Sequence, residues 1–194
     1  MPRLTAPALT PGTVSGSAQP VLHAESLSLR PWRAQDADAV QAAYADPGIR
    51  RWHARSMDAD EAAAWVASWS ARWEDETGAG WAITTADEVL GQISLRSFDH
   101  GDGRSDISYW VLPAARGRGV ATTALATLST WAFGTLGLHR IEVDHSVDNP
   151  ASCLVATRAG FRLEGTKRGD ALHADGWHDM HLHARLADDA GDVS

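Results

Sequence analysis

The sequence predicts a mixed α+β domain around one central, mostly antiparallel sheet. Three observations carry that expectation. Short stretches of period-two apolar alternation are interspersed with longer stretches of period 3.6, giving roughly seven strands and about four helices. Three consecutive strand-like stretches are joined by short polar connections, the pattern of an antiparallel meander. A chain of 194 residues is long enough for one domain with a real core and short for two.

Residues 1–22 read as a disordered tail, because Pro2, Pro7, Pro11, Gly12, Gly16 and Pro20 punctuate small polar residues with no apolar period. The domain then spans 23–187, and 188–194 form a second polar tail. Residues 26–31 alternate Leu27 and Leu29 against Ser28 and Arg30, which predicts the first strand. Gln35-Asp36 opens a helix that Asp46-Pro47-Gly48 stops. Asp58 with Glu61 three residues on starts a second helix as a capping box. Trp65, Trp69 and Trp73 follow at spacing four, a core-facing stripe. Residues 80–85, 89–98 and 106–112 form the meander. Pro113 ends it, and a glycine loop enters a helix from about Arg118 to Leu136, with Gly137 as its terminator. A strand at 138–147 precedes Asn149-Pro150, an N-cap with proline at the first helical position. That helix ends near Gly160. Strands at 161–168 and 177–185 flank a loop at 169–176.

Composition excludes several classes. A net charge of -8 repels nucleic-acid backbones, so no nucleic-acid partner is expected; it favours solubility and suits a cationic acceptor such as an amine. No apolar run approaches the roughly 20 residues that a bilayer requires, and the N-terminus lacks the apolar block of a signal peptide. No membrane partner is therefore expected. The single cysteine, Cys153, has no internal disulfide partner, which makes a reducing cytoplasm the default location.

The strongest chemical signal is the loop Arg116-Gly117-Arg118-Gly119-Val120-Ala121 between a strand and a helix. Unpaired N–H groups and the dipole at a helix start attract a diphosphate without any lysine. Gly117 and Gly119 let the backbone approach it, and Arg116 and Arg118 add cationic reach. A Walker loop needs a lysine that is missing, and a dinucleotide fingerprint needs a third glycine where Thr122 stands. Arg-x-x-Gly-x-Ala at 116–121 instead resembles the coenzyme A diphosphate motif of the GNAT N-acetyltransferases. Asn149-Pro150-Ala151-Ser152, Ala159-Gly160-Phe161, Leu163-Glu164-Gly165, Asp175-Gly176, Asp179 and Ala184-Arg185-Leu186 continue the likeness. They resemble the RimJ/RimL-like branch, and the resemblance spans about residues 26–187.

That resemblance implies a sheet splayed between two central strands, here 106–112 and 138–147, with acetyl-CoA entering the splay. It implies an N-acetyltransferase that moves an acetyl group from acetyl-CoA to a primary amine by direct attack in a ternary complex, without a metal. The acceptor is a peptide or protein N-terminus or a small-molecule amine, a longer acyl donor is compatible with the splay, and homodimers are common in the branch. Backbone groups of Trp110, Val111 and Leu112 would bind the pantetheine arm and supply an N–H to the oxyanion. The amides from Gly117 through Arg118, Gly119, Val120 and Ala121 to Thr122 would hold the diphosphate. Asn149 would contact the pantetheine arm, alongside its reading as an N-cap, and Ser152 would donate to the leaving thiolate. A RimL-type glutamate falls at Ala171, one residue after Asp170. The candidate bases rank as Asp106, then Asp170, then Glu142 and His145.

Cys153 beside Ser152 reads as a small buried residue, since amine attack on a thioester needs no covalent intermediate. His173, His178, His181 and His183, with Asp175 and Asp179, carry none of the familiar zinc spacings, although His181 and His183 share one strand face. The competing class is a catalytically silent GNAT-like module that binds coenzyme A or a peptide.

Overall fold

The computed structural model describes residues 4–24, 26–86 and 88–191. Eight strands form one sheet: β1 (Leu22–Ala24), β2 (Leu27–Pro31), β3 (Ala79–Thr85), β4 (Glu88–Leu95), β5 (Arg104–Val111), β6 (Arg140–Ser146), β7 (Arg162–His173) and β8 (Gly176–Leu186). Their order is β1-β2-β3-β4-β5-β6-β8-β7, and every pairing is antiparallel except β5 with β6. Five α-helices accompany it among the described residues: α1 (Ala37–Ala45), α2 (Pro47–His53), α3 (Ala59–Glu74), α4 (Val120–Trp131) and α5 (Pro150–Arg158). The mixed α+β architecture is as expected, with one more strand and one more helix.

Alternation along β5 shows how the two faces are filled. Ile107 joins a core with Leu125 and Leu128 of α4 and Ala156 of α5, whereas Trp110 joins Val40 and Tyr44 of α1, Ile49 of α2 and Val66 of α3. The tryptophan stripe divides along α3. Trp73 meets Trp81 and Trp131 in the main core, while Trp65 and Trp69 stack edge to face over the other side of the sheet.

Four local expectations are corrected. Asp46-Pro47-Gly48 ends α1 but also starts α2: Asp46 Oδ1 accepts from Ile49 N at 3.0 Å, and Pro47 takes the first helical position. The N-terminal segment is held rather than trailing. Leu9 and Val14 are buried in the main core, and the Glu76 carboxylate accepts from the backbone N–H of Gly12, Val14 and Ser15 at 2.7–2.9 Å. Residues 1–3 and 192–194 lie outside the described residues. The loop expected at 169–176 shrinks to a turn, because β7 continues through an irregular register to His173. The helix after the glycine loop ends in a π-helical turn, Ala132–Leu136, before Gly137 at φ +81°.

A buried ion pair ties β2 to the start of α1. Arg30 forks onto Asp36 at 2.7 and 2.8 Å, with both side chains almost wholly enclosed. Asp36→Ala would remove both charge-assisted hydrogen bonds of this buried fork, so the urea midpoint of that variant should fall by the equivalent of about 1.5–3 kcal/mol. A loss below about 1 kcal/mol would mean the pair is hydrated in solution.

The feature that positions the site is a wedge in the sheet. β5 and β6 pair only at Arg104–Arg140, Ser105–Ile141 and Asp106–Glu142. Beyond Asp106, β5 stays on β4 as far as Val111, and β6 stays on β8 as far as Ser146, so the two strands part.

Candidate active site

The glycine loop closes the outer end of β5. Gly117 and Gly119 have φ of +73° and +77°, the left-handed region that glycine alone enters without strain. A Cβ at either would meet nothing within 4 Å, so conformation rather than crowding by the protein requires glycine. Gly119 caps α4 without any side-chain hydrogen bond, and the first turn carries no acidic residue. The first amide of this helix with a backbone acceptor is Thr123, bonded to Gly119 O at 2.9 Å. Among the described residues nothing accepts from the N–H groups of Gly117 through Thr122. That run of donors, with the helix dipole behind it, is an anion cradle.

Arg116 does not extend the cradle. Its Nη2 donates to Asp46 at 2.6 Å and its Nε donates to Val111 O at 3.1 Å, which braces the loop against α2. Arg118 is exposed and pairs with no carboxylate among the described residues.

Backbone bonding identifies which β5 groups face the wedge. Asp106 O accepts from Arg96 N, and Leu112 N donates to Leu90 O, so the even-numbered residues turn to β4. Trp110 and Leu112 therefore keep sheet partners, contrary to expectation. Tyr109 and Val111 turn their main-chain N–H groups to the wedge, their carbonyls being taken by His53 and Arg116, and of the three residues named from the sequence only Val111 does so.

The wedge opens into a cleft of about 520 Å³. Its walls come from both faces of the sheet: Tyr44, Trp65 and Trp69 on one side, and Asn149 and Ser152 of α5 on another. Ser152 Oγ shares a 2.7 Å hydrogen bond with Tyr109 Oη. Burial pushes the Tyr109 hydroxyl up to about 12, so it keeps its proton through neutrality. Asn149 is the N-cap of α5, its Oδ1 accepting from Ser152 N at 3.1 Å.

The four candidate bases fare differently. Asp106 lines the cleft at the fork where pairing stops, and accepts from Ser97 Oγ at 3.0 Å. Glu142 is held by Arg140 at 2.6 Å, in a triad with Glu164 outside the cleft wall. Asp170 is exposed on β7 and is not part of the wall, whereas its neighbour Ala171 is. His145 reaches the cleft but turns its ring toward α5, where it meets His181 and His183.

Sequence reasoning missed Tyr109, His53 and three arginines of the cleft, Arg55, Arg72 and Arg96. Tyr109 was within reach, since strand alternation puts it on the face of Ile107 opposite the Asn149–Ser152 turn. His53 and Arg55 were hidden with α2. The arginines also revise the charge argument: the chain is acidic overall, but this cleft is not. Arg72 stacks over Trp69 and donates to the Arg96 carbonyl, while Arg55 and Arg96 have no carboxylate partner among the described residues. Asp144 also lines the cleft, paired with Lys167 at 2.8 Å.

Burial pushes His53 down to about 4, against a hydrogen bond to the Tyr109 backbone that favours its charged form. A folded-state value below the unfolded one, about 6.5, means the unfolded chain binds more protons between those limits. Stability present above pH of about 6.5 is therefore lost as pH falls toward about 4. In His53→Gln the slope of unfolding free energy against pH should drop by up to about one proton in that window, measured by urea titration at several pH values. An unchanged slope would mean that His53 is hydrated.

The family description "Acetyltransferase (GNAT) domain" matches residues 26–162. The chain belongs to the GNAT family. It is similar to the N-acetyltransferase YoaA of Bacillus subtilis, 28% identical over 77% of this chain and 86% of the relative. It is also similar to the ribosomal-protein-serine acetyltransferase of Escherichia coli, 33% identical over 55% of this chain and 59% of the relative. Among solved structures, Mycobacterium smegmatis RimJ in complex with CoA-disulfide superposes with a TM-score of 0.79 at 28% identity, covering 87% of each chain. The RimL ribosomal L7/L12 alpha-N-protein acetyltransferase in complex with coenzyme A shares the fold at a TM-score of 0.80, with 20% identity over 86% of this chain and 98% of that one. These relatives place the chain in the RimJ/RimL-like branch of the GNAT enzymes, acyl-CoA-dependent N-acyltransferases. No helix among the described residues is long and apolar enough to cross a membrane.

Proposed function

We propose that this GNAT enzyme transfers an acetyl group from acetyl-CoA to the primary amine of an acceptor that also carries negative charge. The observation that carries the donor half is the run of unsatisfied amides from Gly117 to Thr122, at the outer end of a wedge whose exposed main chain can bond the pantetheine arm. The acceptor half rests on Arg55 and Arg96 in the cleft. A peptide or protein N-terminus with acidic neighbours fits such a cleft, in line with the E. coli relative named for a ribosomal-protein serine.

In the reaction, a neutral amine attacks the thioester carbonyl; a C–N bond forms and the C–S bond breaks. A main-chain N–H of Tyr109 or Val111 faces the developing oxyanion. Asp106 takes the ammonium proton directly or through one water. The Ser152–Tyr109 hydroxyl pair stabilises the departing thiolate by hydrogen bonding and passes it a proton that solvent in the cleft then restores to the pair, and Asn149 orders the turn that holds Ser152.

The test is a panel of amines and N-terminal peptides assayed with acetyl-CoA and thiol detection. Peptides with acidic residues near a free N-terminus should be acetylated best, and Asp106→Asn should lower kcat by about 10²-fold at neutral pH. Thiol release from no acceptor, in protein that still binds coenzyme A, would favour the silent module instead. Equal use of acidic and basic peptides would remove the role given to the arginines.

A further inference from the structure

Behind the cleft wall, three elements bring four metal-ligating side chains together. His181 and His183 lie two apart on one face of β8, and His145 of β6 stands opposite His181 across the antiparallel pair. Cys153, in the first turn of α5, covers the same spot. One ligand atom from each residue can be chosen so that all four lie within 4.8 Å of one another. Cys153 Sγ and His183 Nε2 are already 3.7 Å apart. Bond lengths of about 2.0–2.3 Å to zinc give tetrahedral edges of about 3.3–3.6 Å, so closure needs shifts of about 1 Å or less.

The hydrogen bonding points the same way. His145 Nδ1 lies 2.8 Å from the Ser146 carbonyl, which only accepts, so in the neutral ring the proton sits on Nδ1 and Nε2 keeps a lone pair. That Nε2 is buried with no partner among the described residues, in a residue only 5% exposed. A ring nitrogen tied to a backbone carbonyl, with its opposite nitrogen bare, is the arrangement that metal-binding histidines adopt. Nδ1 of His181 is likewise buried without a partner among the described residues. Two imidazoles with buried, bare ring nitrogens, beside a third that faces a thiol, are costly unless something ligates them.

We infer that His145, Cys153, His181 and His183 form a tetrahedral site for a zinc-type cation. One thiolate and three imidazoles suit Zn²⁺ and exclude Mg²⁺ and Ca²⁺, which take oxygen ligands. Binding deprotonates the Cys153 thiol and releases that proton to solvent. Because Cys153 directly follows Ser152, the ion clamps the first turn of α5 to β6 and β8 and fixes the residue that faces the cleft. The inference stands apart from the acyl-transfer reading and is tested without turnover.

Chelator-treated protein is titrated with Co²⁺ and followed by absorption. The expected result is one equivalent bound, with visible bands of tetrahedral intensity and a thiolate-to-cobalt charge-transfer band, all displaced by Zn²⁺. Cys153→Ser should lose the charge-transfer band, and His145→Asn and His181→Asn should each weaken binding by at least about tenfold. Zn²⁺ in hundredfold excess over its Kd should also raise the wild-type Tm by roughly 5–10 °C, a readout that needs no variant to fold. Absence of the charge-transfer band in the wild type, its survival in Cys153→Ser, undiminished binding in both histidine variants, or an unmoved Tm would each overturn the site.

Discussion

Gly119→Glu is expected to abolish measurable coenzyme A binding, a loss of more than about 10²-fold, while the fold survives. Two effects combine. The residue sits at φ +77°, where a side chain costs about 1–2 kcal/mol of backbone strain. Its added carboxylate then stands among the N–H groups that would receive the diphosphate, replacing attraction with repulsion. A Cβ there meets no protein atom within 4 Å, so the core is untouched and the circular dichroism spectrum should be retained. Gly119→Ala separates the two effects, because it keeps the strain and adds no charge. Calorimetric titration should show a smaller loss for alanine than for glutamate. Wild-type affinity in the glutamate variant would place the diphosphate elsewhere.

Loss of the hydroxyl pair should act on turnover instead of binding. Tyr109→Phe and Ser152→Ala are each expected to lower kcat by about 10²-fold and to leave coenzyme A affinity within a few-fold of wild type. Tyr109 Oη and Ser152 Oγ are 2.7 Å apart, and the hydroxyl of Tyr109 also reaches the Ser152 carbonyl at 3.3 Å. With its pKa pushed up to about 12 by burial, Tyr109 serves as a donor and not as the base at neutral pH. The double variant should cost little more than either single one, since the two hydroxyls act as one unit. Multiplicative losses in steady-state assays would mean that they work independently.

What was legible in the sequence was local. The Asp58–Glu61 capping box is present with reciprocal bonds of 2.8 and 2.9 Å, because both partners sit within one helical turn. The meander and the glycine loop were readable for the same reason: turn chemistry and period act over a few residues. Asp46-Pro47 was misread because an aspartate followed by proline fits the end of one helix as well as the start of the next. The N-terminal segment has no period, yet Glu76, distant in sequence, supplies the carboxylate that its amides need. Arg116 looked like a phosphate ligand until Asp46, 70 residues away, claimed it. The cluster of His145, Cys153, His181 and His183 lacks a spacing signature because β6, α5 and β8 meet only in the folded sheet. In each of these cases the deciding partner is remote in the chain, and spacing rules see only near neighbours.

The donor site is built on the amides of the loop after β5. Amide-resolved NMR of the isotopically labelled protein, titrated with coenzyme A, tests them directly. The largest shifts should fall on the N–H signals of Gly117 to Thr122, moving downfield as they begin to donate to phosphate oxygens. Saturable binding with those signals unmoved, and the shifts concentrated elsewhere, would contradict the assignment of this loop as the donor site.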